Sequence, residues 1–165
     1  PLSLVSLAAC LDAAEDLVAA AQEEADAAVA GLDGAETEAV KASLGVGARG
    51  PGVAAASRGA GVLKELEKRQ KSRATRLSRD SLDRALVDLA ALYRDALVLA
   101  AGQGEAAFLA HPDRRADAVE LGRRIGPEGA LRRIHAVLAC RTALEQNVKP
   151  RVAVEALTVR LRLPG

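Results

Sequence analysis

Residues 82–100 read LDRALVDLAALYRDALVLA and decide the fold class of this 165-residue chain. Apolar side chains recur along this stretch at steps of three and four: Leu82, Leu86, Leu89, Tyr93 and Ala96, with Ala100. That spacing places them on one face of an α-helix. Ser78 and Asp80 precede the stretch as candidate N-terminal caps, and Gly102 and Gly104 follow it as stop signals. The segment therefore predicts one strongly amphipathic helix.

The N-terminal part of the chain carries a second stripe of this kind. Its apolar members are Leu4, Leu7, Leu11, Ala14, Val18, Ala21, Ala25 and Val29. Gly31 and Gly34 are predicted to end that helix, and a short helix is expected over 35–44. A flexible Gly-rich loop is predicted near 45–61, because four glycines and Pro51 fall within residues 45–52. Helical character returns from about Val53 to Arg76.

The C-terminal part predicts three further helices. The first runs from about Arg115 to Ile125 and ends at Gly126. Pro127 begins the next, which continues to about Asn147, since proline is tolerated in the first helical turn. The last segment partly alternates apolar and polar residues, as a strand would, but Pro150 near its start and the Ala-Val-Glu-Ala centre favour a helix to about Leu161. The pattern predicts an all-α bundle of about six or seven helices.

The composition restricts the classes of function. Alanine and leucine dominate, and the chain has no Trp, no Met, one Tyr and one Phe. A β-sandwich is therefore improbable, as is a protein that stacks bases on aromatic side chains. A net charge of +1 gives no global attraction to nucleic acid.

The two cysteines, Cys10 and Cys140, are expected to be buried and reduced. No apolar run reaches membrane-spanning length and no signal peptide is visible, so a cytoplasmic location is expected.

No reactive constellation is apparent, so we expect no catalytic, cofactor-binding or metal-binding residues. Residues 45–50, GVGARG, formally match GxGxxG, but a predicted helix precedes them and Pro51 follows, which does not suit a dinucleotide site. Neither His111 nor His135 has a Cys or carboxylate at ligand spacing. The chain is expected to carry out no reaction of its own.

One segment, 64–79, is locally basic. Its cations are Lys64, Lys68, Arg69, Lys71, Arg73, Arg76 and Arg79. Two interpretations stay open. The segment is a solvated helix, with pairs from Glu65 to Arg69 and from Glu67 to Lys71, or it contacts phosphates.

Several stretches, taken in order, resemble a known family. Residues 143–157 read ALEQNVKPRVAVEAL, and 126–134 read GPEGALRRI. Residues 63–76 read LKELEKRQKSRATR, followed by DRALVDL at 83–89 and YRDAL at 93–97. The order resembles the C-terminal part of bacterial clamp-loader delta-prime subunits of DNA polymerase III, of the actinobacterial type. The long insertion from about Gly45 to Arg76 is absent from compact members of that family.

The resemblance implies a single helical collar domain over 1–165, the third domain of a subunit whose two AAA-plus domains would precede Pro1. The family's arginine finger and zinc module belong to those domains and match nothing in this chain. The implied partners are the gamma/tau and delta subunits of the loader, which places the sliding clamp on primed DNA. The parent subunit would belong to the DNA polymerase III holoenzyme, a DNA-directed DNA polymerase. DNA contact would be indirect, with no membrane and no small-molecule substrate.

The last two helices, about Ala130 to Leu163, are expected to supply the subunit contacts, because arginines lie beside dense apolar residues there. The predicted interface residues are Arg141, Leu144, Val148, Arg151, Val152, Glu155, Leu157 and Arg160. Aspartate at both Val152 and Leu157 is expected to release the subunit. The alternative function is a small helical DNA-binding regulator that uses the basic segment 64–79. An enzyme domain with a deep, unrecognised pocket is a third possibility.

Overall fold

A computed structural model describes residues 2–44, 53–102 and 108–163. All regular secondary structure in these ranges is helical, which confirms the all-α class. The helices are α1 (Leu7–Ser43), α2 (Val53–Ala100), α3 (Arg115–Glu145) and α4 (Pro150–Leu161), with a short 3-10 turn over Pro112–Arg114.

The predicted number of six or seven helices is wrong, because four helices account for the described chain. Gly31 and Gly34 lie inside α1 instead of ending it. Likewise, Ser78 and Asp80 lie inside α2 and cap nothing there. A glycine inside a helix costs only about 1 kcal/mol, which tertiary contacts offset readily. In α1 such contacts come from Arg73 of α2, which is about 40 residues away in the sequence, so the local pattern around Gly31 and Gly34 did not reveal them.

Other predicted boundaries are confirmed by the backbone. Gly126 has φ +64° and breaks the helical path of α3, and Pro127 follows inside the same element. Gly102, just after α2, has φ +83°. The ambiguous last segment is the helix α4, with Pro150 in its first turn. Residues 45–52 of the predicted loop and Gly104 lie outside the described residues, whereas the chain is helical from Val53 onward.

The chain packs into two compact units. Unit 1 consists of residues 1–20 and 82–165, and unit 2 consists of residues 21–81. Both α1 and α2 contribute to each unit, since each helix crosses a boundary between them.

Unit 2 pairs the second half of α1 with the first half of α2. Ala21, Ala25 and Val29 recur every four residues and are buried, so the apolar seam of α1 is narrow. Farther along the pair, polar groups replace this seam. Arg73 contacts Asp33 at 2.9 Å and both oxygens of Glu36 at 2.9 and 3.0 Å. These contacts hold α2 against the part of α1 that contains Gly31 and Gly34.

Unit 1 contains the main apolar core. The stripe predicted from residues 82–100 supplies its centre, because Leu82, Leu86, Tyr93 and Ala96 are all nearly fully buried. At Gly122 of α3, an added Cβ would lie 2.8 Å from the carbonyl oxygen of Ala96. Glycine therefore permits α2 and α3 to approach closely. The backbone N–H of Leu163 donates to the carbonyl of Leu4 at 2.8 Å, which joins the two ends of the described chain.

No helix in the described ranges combines the length and apolar character that a membrane span requires. Cys10 and Cys140 are both free and buried, as the sequence predicted.

Candidate assembly surface

The tight connection between α3 and α4 is set by local sequence. Asn147 has φ +62°, a left-handed conformation that asparagine tolerates better than most residues. Around it, the N–H of Val148 donates to the carbonyl of Ala143 at 3.0 Å, which satisfies one of the last carbonyls of α3. Pro150 then begins α4. The connection is short, so α3 and α4 are sequence neighbours that pack on each other in unit 1.

A buried arginine fixes the other end of this helix pair. Arg133 on α3 is 8% exposed, and its guanidinium donates to the carbonyls of Leu161 and Arg162 at 3.3 and 2.9 Å. A third bond goes to the carbonyl of Gly129 at 3.2 Å. The C-terminal carbonyls of a helix carry partial negative charge, so a cation is favourable there. Arg133 thus caps the end of α4.

Two rows of apolar side chains remain exposed on this helix pair. Leu131 and Leu138 are seven residues apart on α3, and Val152 and Val159 are seven residues apart on α4. A spacing of seven places both members of each row on one helix face. With Val148 in the connection, these residues define what we name the α3–α4 surface. Rows of exposed apolar side chains are candidates for protein–protein contact.

Four of the predicted interface residues are exposed: Val148, Arg151, Val152 and Arg160. Arg151 is engaged within its own unit, since it donates to Glu155 at 2.8 Å and to Glu15 at 3.4 Å. Glu155 is half-buried beside it. Both side chains of the Arg151–Glu155 pair remain near the solvent, where such pairs contribute little to stability. They are therefore available to rearrange on contact with a partner.

Two other predicted interface residues, Arg141 and Leu144, are half-buried. Arg141 forms a two-pronged ion pair with Asp83, with distances of 2.6 and 2.9 Å. Arginine and carboxylate match geometrically in this arrangement. The hydrogen bond from Arg141 lowers the pKa of Asp83. Leu144 is half-buried one turn farther along α3. Arg141 therefore links α2 to α3.

Leu157 was predicted as an interface residue, but its side chain is buried inside unit 1. Its side chain is only 2% exposed, whereas that of Val152 on the same helix is 53% exposed. Leu157 belongs to the buried face of α4 together with Val154 and Leu161. An aspartate at Leu157 would therefore unfold unit 1, and release of a partner by that variant would carry no information on the interface.

Sequence reasoning missed a buried carboxylate. Asp95 on α2 is fully buried, and it accepts hydrogen bonds from the N–H groups of Ala110 and His111 at 3.0 and 2.9 Å. Arg94 adds a contact at 3.1 Å. Asp95 thereby anchors the segment that leads into α3. The local pattern gave no sign of this burial, because Asp95 does not belong to the apolar stripe predicted for residues 82–100.

Tyr93 is the one tyrosine of the chain and is fully buried. Its hydroxyl has no hydrogen-bond partner among the described residues, although the positive charge of Arg133 acts on it. Burial raises the pKa of Tyr93 to about 12, and Arg133 opposes part of this rise. Removal of the phenol from water disfavours its charged form.

We expect the absorbance of Tyr93 at 295 nm to titrate near pH 12 in the folded chain and near pH 10 after unfolding. Between these values the folded chain keeps a proton that the unfolded chain has lost, so stability falls as the pH rises. Between pH 8 and pH 11 the loss amounts to about 1.4 kcal/mol, because pH 11 lies halfway between the two pKa values. Urea unfolding at pH 8 and pH 11 measures it, and Tyr93→Phe removes the contribution of this group. A folded-state midpoint near 10 would contradict the burial of the hydroxyl.

The thiol of Cys140 is buried and stays protonated at neutral pH. It donates to the carbonyl of Ala153 at 3.4 Å, and burial raises the pKa of this thiol to about 11. A thiol that stays protonated is a poor nucleophile. In the described ranges, no group of three or more His, Cys, Asp or Glu side chains is arranged to hold a metal ion. The GVGARG stretch lies outside those ranges.

The basic segment 64–79 makes different ion pairs from those predicted. The pairs Glu65–Arg69 and Glu67–Lys71 do not form in the described part of α2, where all four side chains are exposed. Arg73 instead reaches across to α1, as described above. The charge of Arg73 is therefore neutralised, whereas Lys64, Lys68 and Lys71 form no ion pair with any described residue.

Comparison with known proteins yields no match of this chain to a family model, to a curated protein or to a solved structure.

Proposed function

We propose that this chain is an assembly domain of a bacterial clamp-loader subunit of the delta-prime type. The observation that carries the proposal is the α3–α4 surface, with its exposed apolar rows on two packed helices. Each row offers a partner an apolar helix face, and the burial of apolar area is the main driving force of association. The resemblance of residues 126–134 and 143–157 to the delta-prime family supplies the identity of the complex.

In this proposal residues 1–165 form one collar domain, and the insertion from about Gly45 to Arg76 lies within unit 2. The partners are the gamma/tau and delta subunits of the cytoplasmic loader, which places the sliding clamp on primed DNA. The chain itself carries out no reaction and holds no cofactor. Its contribution is to keep a rigid apolar surface in place, and the Arg133 cap and the Arg141–Asp83 pair support that rigidity.

Assembly with purified gamma/tau and delta subunits tests the proposal. We expect Val152→Asp combined with Val159→Asp to weaken assembly at least about 30-fold, since a charge in the centre of an apolar contact costs about 2 kcal/mol or more. Size-exclusion chromatography over a concentration series measures the change. Circular dichroism of the variant is expected to match that of the wild type, because both valines are exposed.

A matched control uses an exposed apolar residue of unit 2. Leu32 is 54% exposed on α1, so Leu32→Asp introduces a charge of the same kind far along the sequence from the α3–α4 surface. We expect this variant to assemble normally. Assembly that survives the valine substitutions, or that fails equally with Leu32→Asp, would remove the α3–α4 surface from the interface.

The alternative function, a DNA-binding regulator that uses the basic segment 64–79, requires that the chain distinguish one DNA sequence from others. Several cations of that segment are exposed, which favours contact with phosphates. Phosphate contacts carry no sequence information, whereas base contacts do. A preference among duplex sequences is therefore the measurement that separates a regulator from an assembly domain.

A further inference from the structure

The first half of α2 presents a row of free lysines to the solvent. Lys64, Lys68 and Lys71 follow one another at steps of four and three, which places them on one face of the helix. All three are exposed, and none forms an ion pair in the described part of the chain. They are three of the five lysines in the sequence. We name this set the lysine row.

The charges of unit 2 are separated between its two helices. Residues 21–43 of α1 hold six carboxylates and one lysine, whereas residues 64–79 of α2 hold seven cations and two carboxylates. The resulting net charges are −5 and +5. Some of these charges form ion pairs between the two helices, namely Arg73 with Asp33 and Glu36. The lysine row forms no such ion pair with the described residues of α1.

The carboxylates near the lysine row leave its charge available. Glu65 and Glu67 are exposed on the same helix and pair with none of the three lysines. On the facing helix, Asp26 lines a shallow groove together with Lys71. That carboxylate accepts a hydrogen bond from Gln22 at 2.8 Å and forms no ion pair with Lys71.

We propose that the lysine row binds the phosphate backbone of duplex nucleic acid, without sequence preference, in addition to the assembly function of unit 1. Seven residues of helix span about 10 Å, and each strand of a duplex presents about three phosphates over that length. Lysine is a flexible point charge, which suits contact with phosphate oxygens at variable positions. The absence of aromatic residues in 64–79 removes base stacking as a second mode of contact.

The test is fluorescence anisotropy of a labelled 20-base-pair duplex with the whole 165-residue chain, repeated from about 25 to 150 mM NaCl. Each phosphate neutralised on a duplex contributes about 0.9 to the slope of log K against log salt, so three lysines predict a slope near −3. We expect Lys64→Ala, Lys68→Ala and Lys71→Ala together to bring the slope close to zero. Alanine is a better helix former than lysine, so the triple variant is expected to stay folded.

The control removes three exposed cations of unit 1 and lowers the net charge by the same amount. Arg123→Ala, Arg132→Ala and Lys149→Ala together are expected to keep a slope near −3, and the triple Lys→Arg variant of the lysine row is expected to keep it as well. The proposal is overturned by a wild-type slope near zero, by equal slopes in the lysine-row and control variants, or by a marked preference for one duplex sequence. Because none of these measurements includes the loader subunits, their outcome is independent of the assembly test.

Discussion

Asp95→Ala is expected to lower the free energy of unfolding by about 3–5 kcal/mol, because it leaves buried hydrogen-bond donors without an acceptor. In the folded chain, the carboxylate of Asp95 accepts from the N–H groups of Ala110 and His111 and is fully buried. Its loss would also release the segment that enters α3. Urea unfolding followed by circular dichroism at 222 nm, at neutral pH, measures the effect.

Two further variants locate the origin of this loss. Asp88→Ala removes an exposed carboxylate from the same helix and is expected to change stability by no more than about 0.5 kcal/mol. Asp95→Asn keeps one acceptor oxygen and the shape of the side chain, so we expect an intermediate loss. A cost below about 1 kcal/mol for Asp95→Ala would mean that the carboxylate does not anchor this segment.

Leu157→Ala is expected to cost about 2–5 kcal/mol, since truncation of a buried leucine removes apolar contact and leaves a cavity. Val152→Ala, five residues earlier on the same helix, is expected to cost less than about 0.5 kcal/mol, because its side chain already lies in solvent. The two variants form a matched pair within α4. Urea unfolding of both, under the same conditions, gives the comparison.

The pair also separates stability from assembly. In the proposed assembly test, at temperatures where Leu157→Ala stays folded, we expect it to behave as the wild type does. Similar unfolding costs for Leu157→Ala and Val152→Ala would contradict the assignment of Leu157 to the core and of Val152 to the surface. The interface set predicted from the sequence would then regain Leu157.

The helical character of the chain could be predicted from sequence because its signals are local. Apolar residues recur at steps of three and four in residues 82–100, and this spacing is visible within two turns of helix. Gly126 and Pro127 likewise act on the turn of helix in which they lie. The same holds for α4, where Pro150 begins the helix. Signals of this kind need no knowledge of the neighbouring elements.

The lengths of α1 and α2 could not be predicted in this way, because distant contacts determine them. Arg73 lies 40 residues from Asp33, yet it holds α2 against the part of α1 that contains Gly31 and Gly34. A glycine pair followed by a polar stretch is a stop signal only where no such contact exists. The local pattern therefore predicted a boundary that the folded chain does not have.

The interface residues were only partly predictable, because α4 is apolar on more than one side. Val152 and Val159 form one row, and Val154, Leu157 and Leu161 form another. Only the positions of α1, α2 and α3 decide which row is covered. Likewise, Asp95 and Arg133 are charged residues whose buried partners are main-chain groups, and the sequence gives no sign of those partners.

The hydrogen bond between the N–H of Leu163 and the carbonyl of Leu4 has a practical consequence for engineering of this chain. The two backbone atoms are 2.8 Å apart, so in an engineered chain restricted to residues 4–163 a linker of a few residues would close the backbone into a ring. Circular permutation is tolerated where chain ends lie close together. Closure would also restrict the unfolded ensemble and so raise stability, provided that the linker adds no strain.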